Sequence, residues 1–208
     1  MFTRTENFKQ YIKLYPIVSI LLAINISIYV LTNIPLYGEY LFNKGVHFNL
    51  LISEGEYWRL FTPIFLHGSF MHLLFNMFSL YLFGPELERL VGKVRFLTIY
   101  FLAGIAGNIA TYLLQDWNYV SVGASGAIYG MLGAFAALVY YTKHLLPQLK
   151  QIIVPIIVIG VIMTFIQPGI NTTAHIAGLI TGFIIGIIYF HPKRIAAWKK
   201  RKNKFKSV

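Results

Sequence analysis

Charged residues divide this chain into long apolar stretches. None lies between Lys13 and Glu39, Arg59 and Glu86, Arg95 and Asp116, Asp116 and Lys143, or Lys150 and Lys193. A helix needs about 20 apolar residues to cross the hydrocarbon core of a bilayer. The first four gaps each hold one such stretch. The last is too long for a single crossing, and Gln167-Pro168-Gly169-Ile170-Asn171 near its middle is a turn signal. The pattern therefore predicts an all-α polytopic membrane protein with six transmembrane helices, at approximately 16–34, 69–88, 96–115, 121–142, 150–167 and 171–190. These form one domain over 1–192, followed by a basic tail over 193–208. The first stretch follows Arg4, Lys9 and Lys13, as the apolar core of a signal peptide would. It is long for that role and no small-x-small cleavage site follows it, so it reads as a retained span.

The connection from about Pro35 to Gly68 is unlike the others. It mixes Glu39, Glu54, Glu56, Trp58 and Arg59 with the apolar run Leu60 to Leu66. This mixture predicts a structured first external loop lying partly in the outer membrane interface, the alternative being a plain extracellular loop. Trp58 and Arg59 read most simply as interface anchors.

Composition agrees with the pattern. The chain is 57% hydrophobic and 12% charged, where a soluble domain carries about a quarter charged residues. Lipid solvates such a surface and water does not. The net charge of +11 would suggest nucleic acid as the partner of a soluble protein. Here eight of the eighteen Lys and Arg residues lie at or after Lys193, beyond the last apolar stretch. A cationic tail in that position reads as a cytoplasmic anchor on membrane lipid, with no nucleic acid involved. The remaining basic residues fix the orientation. With the N-terminus inside, sixteen Lys and Arg residues fall in inside segments and only Lys44 and Arg59 outside, so both termini are expected in the cytoplasm. Cysteine is absent, which excludes disulfides, thiolate metal sites and cysteine nucleophiles.

Polar residues inside spans carry the information in a membrane protein. No Asp or Glu lies deep in any predicted span and no HExxH is present. This argues against an aspartyl intramembrane protease, a carboxylate-coupled transporter and a zinc hydrolase, and calls for no metal and no cofactor. What remains is His67, His72 and Asn76 at the start of span two, Ser125 at the start of span four and His175 at the start of span six. With the predicted orientation these three spans all run from outside to inside. At 1.5 Å of rise per residue, His72 and Asn76 lie roughly 5 to 10 Å below the outer face, and Ser125 and His175 about 8 Å. Three segments far apart in sequence thus bring polar groups to one depth.

A serine hydroxyl becomes nucleophilic when a base accepts its proton. His175 is the histidine available for that role, and with no acid at this depth the pair reads as a Ser–His dyad. Gly123 and Gly126 flank the serine and permit a tight turn and close backbone approach. The helix start offers Ser125 N–H to a developing oxyanion. His72 and Asn76, spaced i and i+4, share a helix face and can complete the oxyanion hole. Tyr129, one turn after Ser125, is positioned to pack on the His175 ring. Gly178, Gly182 and Gly186 on span six, and Gly126, Gly130 and Gly133 on span four, allow close helix approach. Each feature alone has a blander reading: the GxSG run as helix packing, His175 as an interhelical hydrogen-bond partner, His72 and Asn76 as a metal or pore site, His67 as a structural residue.

Taken together, these residues resemble the rhomboid family of intramembrane serine proteases. The resemblance rests on Trp58-Arg59 in a long first loop, His72-x-x-x-Asn76, Gly123-x-Ser125-Gly126 with Tyr129 one turn on, and Ala174-His175-x-x-Gly178. It implies a six-helix rhomboid-like bundle in which Ser125 is the nucleophile and His175 the general base. It also implies that His72, Asn76 and the Ser125 backbone hold the oxyanion, that Gly123 permits close approach, and that Tyr129 stacks on His175. The substrates implied are single-pass membrane proteins, cut near the outer end of their helix after lateral entry past span five. With six spans and no extra helix, the chain looks like the simplest bacterial form, expected in the plasma membrane. Two rivals remain: a non-enzymatic rhomboid-like protein that binds membrane clients, and a small transporter or channel.

Overall fold

A computed structural model describes residues 4–144 and 147–193. Of the basic tail, all but Lys193 lies outside the described residues. The chain forms α1 (Phe8–Leu14), α2 (Pro16–Thr32), α3 (Gly38–Gly45), β1 (His47–Phe48), α4 (Asn49–Ser53), 3₁₀ turns at Tyr57–Leu60 and Thr62–Phe65, α5 (Phe70–Val91), α6 (Lys93–Leu114), β2 (Val120–Ser121), α7 (Ser125–Thr142), α8 (Pro147–Ile166) and α9 (Thr172–Tyr189).

Local chemistry sets the helix boundaries. The α1 start is a reciprocal capping box between Asn7 and Gln10. Pro16 then lacks an N–H and disfavours a helical residue before it, so α1 and α2 meet at 110° instead of running on. No local side chain caps α2. Its first-turn N–H groups of Ile17 and Val18 instead donate to the Glu88 carboxylate, at 3.2 and 3.0 Å. A buried anion at a helix N-terminus satisfies orphan donors and complements the dipole, which ties α2 to the far end of α5. Gly92, at φ +85°, breaks α5 from α6.

Among the described residues, four helices, α6 to α9, are each long and apolar enough to cross a membrane. α2 has 17 residues, and α5 is 22 residues long but diluted by His72, Asn76, Glu86, Glu88 and Arg89. His72 and Asn76 belong to the candidate site and Glu88 to the clamp, while Glu86 pairs with Arg4 and Arg89 at 2.7 and 2.6 Å.

α7 is the hub. It packs on α5, α6 and α9, and 67% of its 18-residue apolar window is buried, against 17% for α8. α7 is thus surrounded by protein, while α8 presents most of its apolar surface outward. The contact between α7 and α9 is backbone to backbone. A β-carbon built on Gly182 would stand 1.9 Å from Gly130 O, one on Gly178 2.2 Å from Gly126 O, and one on Gly133 2.1 Å from Leu179 O. Small residues at these crossings are what let membrane helices approach so closely.

The segment between α2 and α5 is structured. β1 pairs antiparallel with β2, His47 opposite Ser121 and Phe48 opposite Val120. Asn49 Nδ2 donates to Gln115 O and Asp116 O, both at 3.0 Å. The segment is therefore fastened onto the α6–α7 connection, directly before Ser125. Arg59 is not the interface anchor expected from sequence. It is only 2% exposed, pairs with Glu56 at 2.7 Å, and donates to Asn43 O at 2.8 Å and Val46 O at 2.7 Å. A guanidinium can be buried when its charge is paired and its donors are met, and here it staples the segment from within. Trp58 is half-exposed, with its indole N–H on Lys44 O at 3.1 Å.

Candidate active site

Ser125 is the first residue of α7. The N-cap position, Ala124, provides no side-chain acceptor, so the first N–H groups of this helix have no capping side chain. Just before it, Gly123 sits at φ +133°, a conformation that residues with a β-carbon rarely adopt. The point where a β-carbon would project from Gly123 is 2.7 Å from His72 Nε2 and 3.6 Å from Ser125 Oγ. The missing side chain leaves a small cradle bordered by the serine hydroxyl and the His72 imidazole. Glycine is required here twice over, for its backbone angle and for the space.

His72 reaches this cradle from the first turn of α5, whose N-cap Ser69 accepts from His72 N at 3.1 Å. One turn below, Asn76 is buried and its Nδ2 donates to His72 O at 2.8 Å. That bond uses one of the two amide protons.

His175 enters from the first turn of α9. Asn171 caps that helix, its Oδ1 accepting from Ala174 N at 2.9 Å. The Asn171 amide also donates to Thr111 Oγ1 at 2.9 Å and Ser121 Oγ at 3.0 Å, which locks the α9 start against α6 and β2. The His175 ring is 6% exposed and stacks on Tyr129, with centroids 4.1 Å apart and planes within 18°. Its Nδ1 is hydrogen-bonded to Thr164 Oγ1 of α8. Tyr129 Oη donates to Gly160 O at 2.6 Å and lies 3.4 Å from Thr164 Oγ1. Gly126 and Gly178 bring the two helices together beside these groups: a β-carbon on Gly126 would touch Ala174 O at 3.4 Å. No hydrogen bond joins Ser125 Oγ to His175 among the described residues. Catalytic hydrogen bonds are often open at rest and tighten when substrate binds.

The family model described as the Rhomboid domain matches residues 54–192. The chain is 43% identical to YdcA of Bacillus subtilis (strain 168) over 195 residues, 93% of this chain and 98% of that protein. The chain belongs to the rhomboid family. It is also 41% identical to the rhomboid protease GluP of the same organism over 157 residues, 75% of this chain but 31% of that longer protein. RHOMBOID-like protein 5 of Arabidopsis thaliana is 36% identical over 169 residues, 74% of this chain and 53% of that protein. As a rhomboid, this is a membrane protein and a serine protease that hydrolyses peptide bonds in transmembrane substrates.

Within this rhomboid, His72, Gly123 and Ser125 gather at one cradle, and Tyr129 and His175 form one stack beside α8. Three polar residues at the site escaped the sequence reading: Thr111, Asn171 and Thr164. Thr164 is 2% exposed near the end of α8 and is the one polar side chain of that helix after Gln151, and a lone polar residue in such a stretch was the available signal.

His67, read from sequence as structural, is 2% exposed and meets His72 edge to face at 5.1 Å between centroids. Among the described residues, neither of its ring nitrogens has a hydrogen-bond partner. Burial, and then the neighbouring His72, hold this imidazole far below its ordinary 6.5, at about 3. A depressed histidine pKa means that the unfolded chain binds the extra proton. The stability His67 contributes is therefore full above about pH 6.5 and is lost progressively as pH falls toward 3. Between pH 7 and pH 5 the loss is about 2 kcal/mol. Thermal melts in detergent at those two pH values should show it, and His67→Phe should flatten the difference. An unchanged pH response in the variant would remove His67 as the cause.

Proposed function

We propose that this rhomboid is an endopeptidase that cleaves single-pass transmembrane proteins near the outer membrane face, with Ser125 and His175 as its catalytic dyad. The observation that carries the proposal is the meeting of the α7 and α9 helix starts around Gly123 and Tyr129. A serine at an uncapped helix N-terminus adjoins an imidazole, His72, and a second imidazole, His175, is held flat on Tyr129 by the tight α7–α9 crossing.

In the mechanism, His175 Nε2 takes the Ser125 proton as Oγ bonds to the scissile carbonyl carbon. The carbonyl oxygen becomes an oxyanion over the Gly123 cradle. Ser125 N–H, His72 Nε2–H and the free Asn76 amide proton stabilise it, since donors fixed before reaction need no reorganisation as charge develops. The intermediate collapses, the C–N bond breaks, and His175 delivers its proton to the leaving amine. Water then attacks the acyl-enzyme ester with His175 as base, releasing the carboxylate product and restoring Ser125.

Six crossings, with both ends in the cytoplasm of a bacterial cell, fit this mechanism. The distribution of Lys and Arg supports that orientation, and α2 and α5 supply the two helices beyond α6 to α9. The segment between α2 and α5 then covers the site on the outer side, and the described end of the chain, at Lys193, lies inside.

The test is cleavage of a single-span reporter in liposomes by purified protein. Wild type should cut it near the outer end of its helix, as read by mass spectrometry of the fragments. Ser125→Ala should lower the rate by at least about 10⁴-fold, as nucleophile loss does in serine proteases. Equal cleavage by the variant would remove Ser125 as nucleophile.

A further inference from the structure

The dyad leaves one requirement unmet by sequence: something must hold the His175 proton on Nδ1 so that Nε2 is free to act as base. In serine proteases with three catalytic groups a buried carboxylate does this. Here the group at Nδ1 is the hydroxyl of Thr164. A hydroxyl can donate or accept, so the bond alone does not fix the tautomer. Its surroundings complete the assignment in which Nε2 is bare.

Tyr129 Oη is 2.6 Å from Gly160 O, a carbonyl that can only accept, so the phenol proton is committed to that bond. The phenol oxygen then has lone pairs left, and it stands 3.4 Å from Thr164 Oγ1. Thr164 can hand its own proton to that oxygen, leaving its lone pairs for His175. The consistent assignment of protons runs from His175 Nδ1–H to Thr164 Oγ1, from Thr164 O–H to Tyr129 Oη, and from Tyr129 O–H to Gly160 O. In this direction every donor of the network meets an acceptor; the reverse assignment, Thr164 O–H onto Nδ1, would leave the imidazole proton on Nε2. The Thr164 backbone is fixed as well, its carbonyl accepting from Thr172 Oγ1 at 3.0 Å, and its side chain is 2% exposed. Buried hydrogen-bond chains of this kind reinforce one another in low dielectric.

We propose that Thr164 is a positioning residue that sets the tautomer of His175, through a neutral relay ending on the Gly160 carbonyl of α8, in place of a catalytic acid. The proposal rests on the Ser125–His175 dyad reading. It has a structural consequence. Both Thr164 and Gly160 belong to α8, the helix with the least buried apolar window of the four apolar helices, so the base is primed only while α8 stays seated against α7 and α9.

Two measurements test it. The first is ¹⁵N NMR of histidine-labelled wild type in detergent micelles without substrate, the His175 signals being identified by their loss in His175→Asn. The expected result is a proton on Nδ1 and a bare Nε2. A proton on Nε2 overturns the proposal, and does so whatever becomes of the dyad reading, because no turnover is involved. The second is kinetics on reporter substrate. Thr164→Val keeps the shape and removes the hydroxyl. It should lower kcat by about 10- to 100-fold with KM little changed, as loss of correct base protonation does, and shift His175 toward mixed tautomers. Thr164→Ser should restore both kcat and the Nδ1–H tautomer. Wild-type kcat in a folded Thr164→Val, or failure of Thr164→Ser to restore either readout, overturns the role. Should Thr164→Val not fold, the wild-type tautomer and the serine variant still decide.

Discussion

Gly182→Val is expected to leave no folded enzyme. A β-carbon at this position would stand 1.9 Å from Gly130 O and 2.6 Å from Gly130 Cα. The atoms in the way are backbone, so no rotamer change relieves the clash, and the two helices must separate. Extra methylenes in a packed core typically cost 1 to 3 kcal/mol when side chains can adjust. A forced backbone separation along the most extensive helix contact should exceed about 4 kcal/mol, the exceptional end of single substitutions. The site would be lost with it, because the same crossing holds His175 near Ser125. Size-exclusion profile and thermal melt in detergent report the outcome. Ile180→Val, two residues away on the exposed face, should behave like wild type and shows that the effect is one of position. A monodisperse Gly182→Val with wild-type melting would mean that α7 and α9 do not touch as described.

Gly123→Ala should separate catalysis from folding. Its methyl group would enter the cradle at 2.7 Å from His72 Nε2. In the proposed mechanism it would displace a donor to the oxyanion, and loss of one such donor costs about 10²- to 10³-fold in turnover. The substitution also strains the backbone at φ +133°, a cost of about 1 to 3 kcal/mol. Gly55→Ala supplies the comparison. Gly55 has φ +103° and nothing within 4 Å of a β-carbon, so it carries the backbone cost without the cradle. The expected result is similar loss of melting temperature in both variants, with turnover lost only in Gly123→Ala. Equal turnover losses would mean that Gly123 acts through stability alone.

How much of this was readable in advance follows from the physics of each residue type. A charge in hydrocarbon is so costly that charge-free stretches mark the apolar helices almost by themselves: one helix of 17 to 22 residues lies along each of the first four, and α8 and α9 share the fifth. Ser125, His175, His72 and Asn76 drew notice for the same reason, as polar groups in apolar stretches, and the fold puts His72 beside the Gly123–Ser125 cradle and His175 on Tyr129. α1 was not, because its seven residues lie among the charges Lys9 and Lys13 and carry no long apolar signal. The β1–β2 pairing involves two residues a side, too few for an alternating pattern. Arg59 was misread because a Trp-Arg pair beside an apolar run is the usual sign of an interface anchor. Its burial depends on the carbonyls of Asn43 and Val46 and on Glu56, acceptors that only the folded loop brings together. Thr164 was overlooked because threonine is common in membrane helices. Its meaning comes from the two helices that bring His175 and Tyr129 to its hydroxyl.

The central claim is that Ser125 is made nucleophilic by His175. The most direct measurement is labelling of the purified protein in liposomes with a fluorophosphonate probe, followed by mass spectrometry of the modified peptide. The account predicts one adduct, on Ser125, with labelling lost in Ser125→Ala and strongly slowed in His175→Asn. An adduct on another serine such as Ser121, or labelling of Ser125 at the wild-type rate without His175, would contradict it.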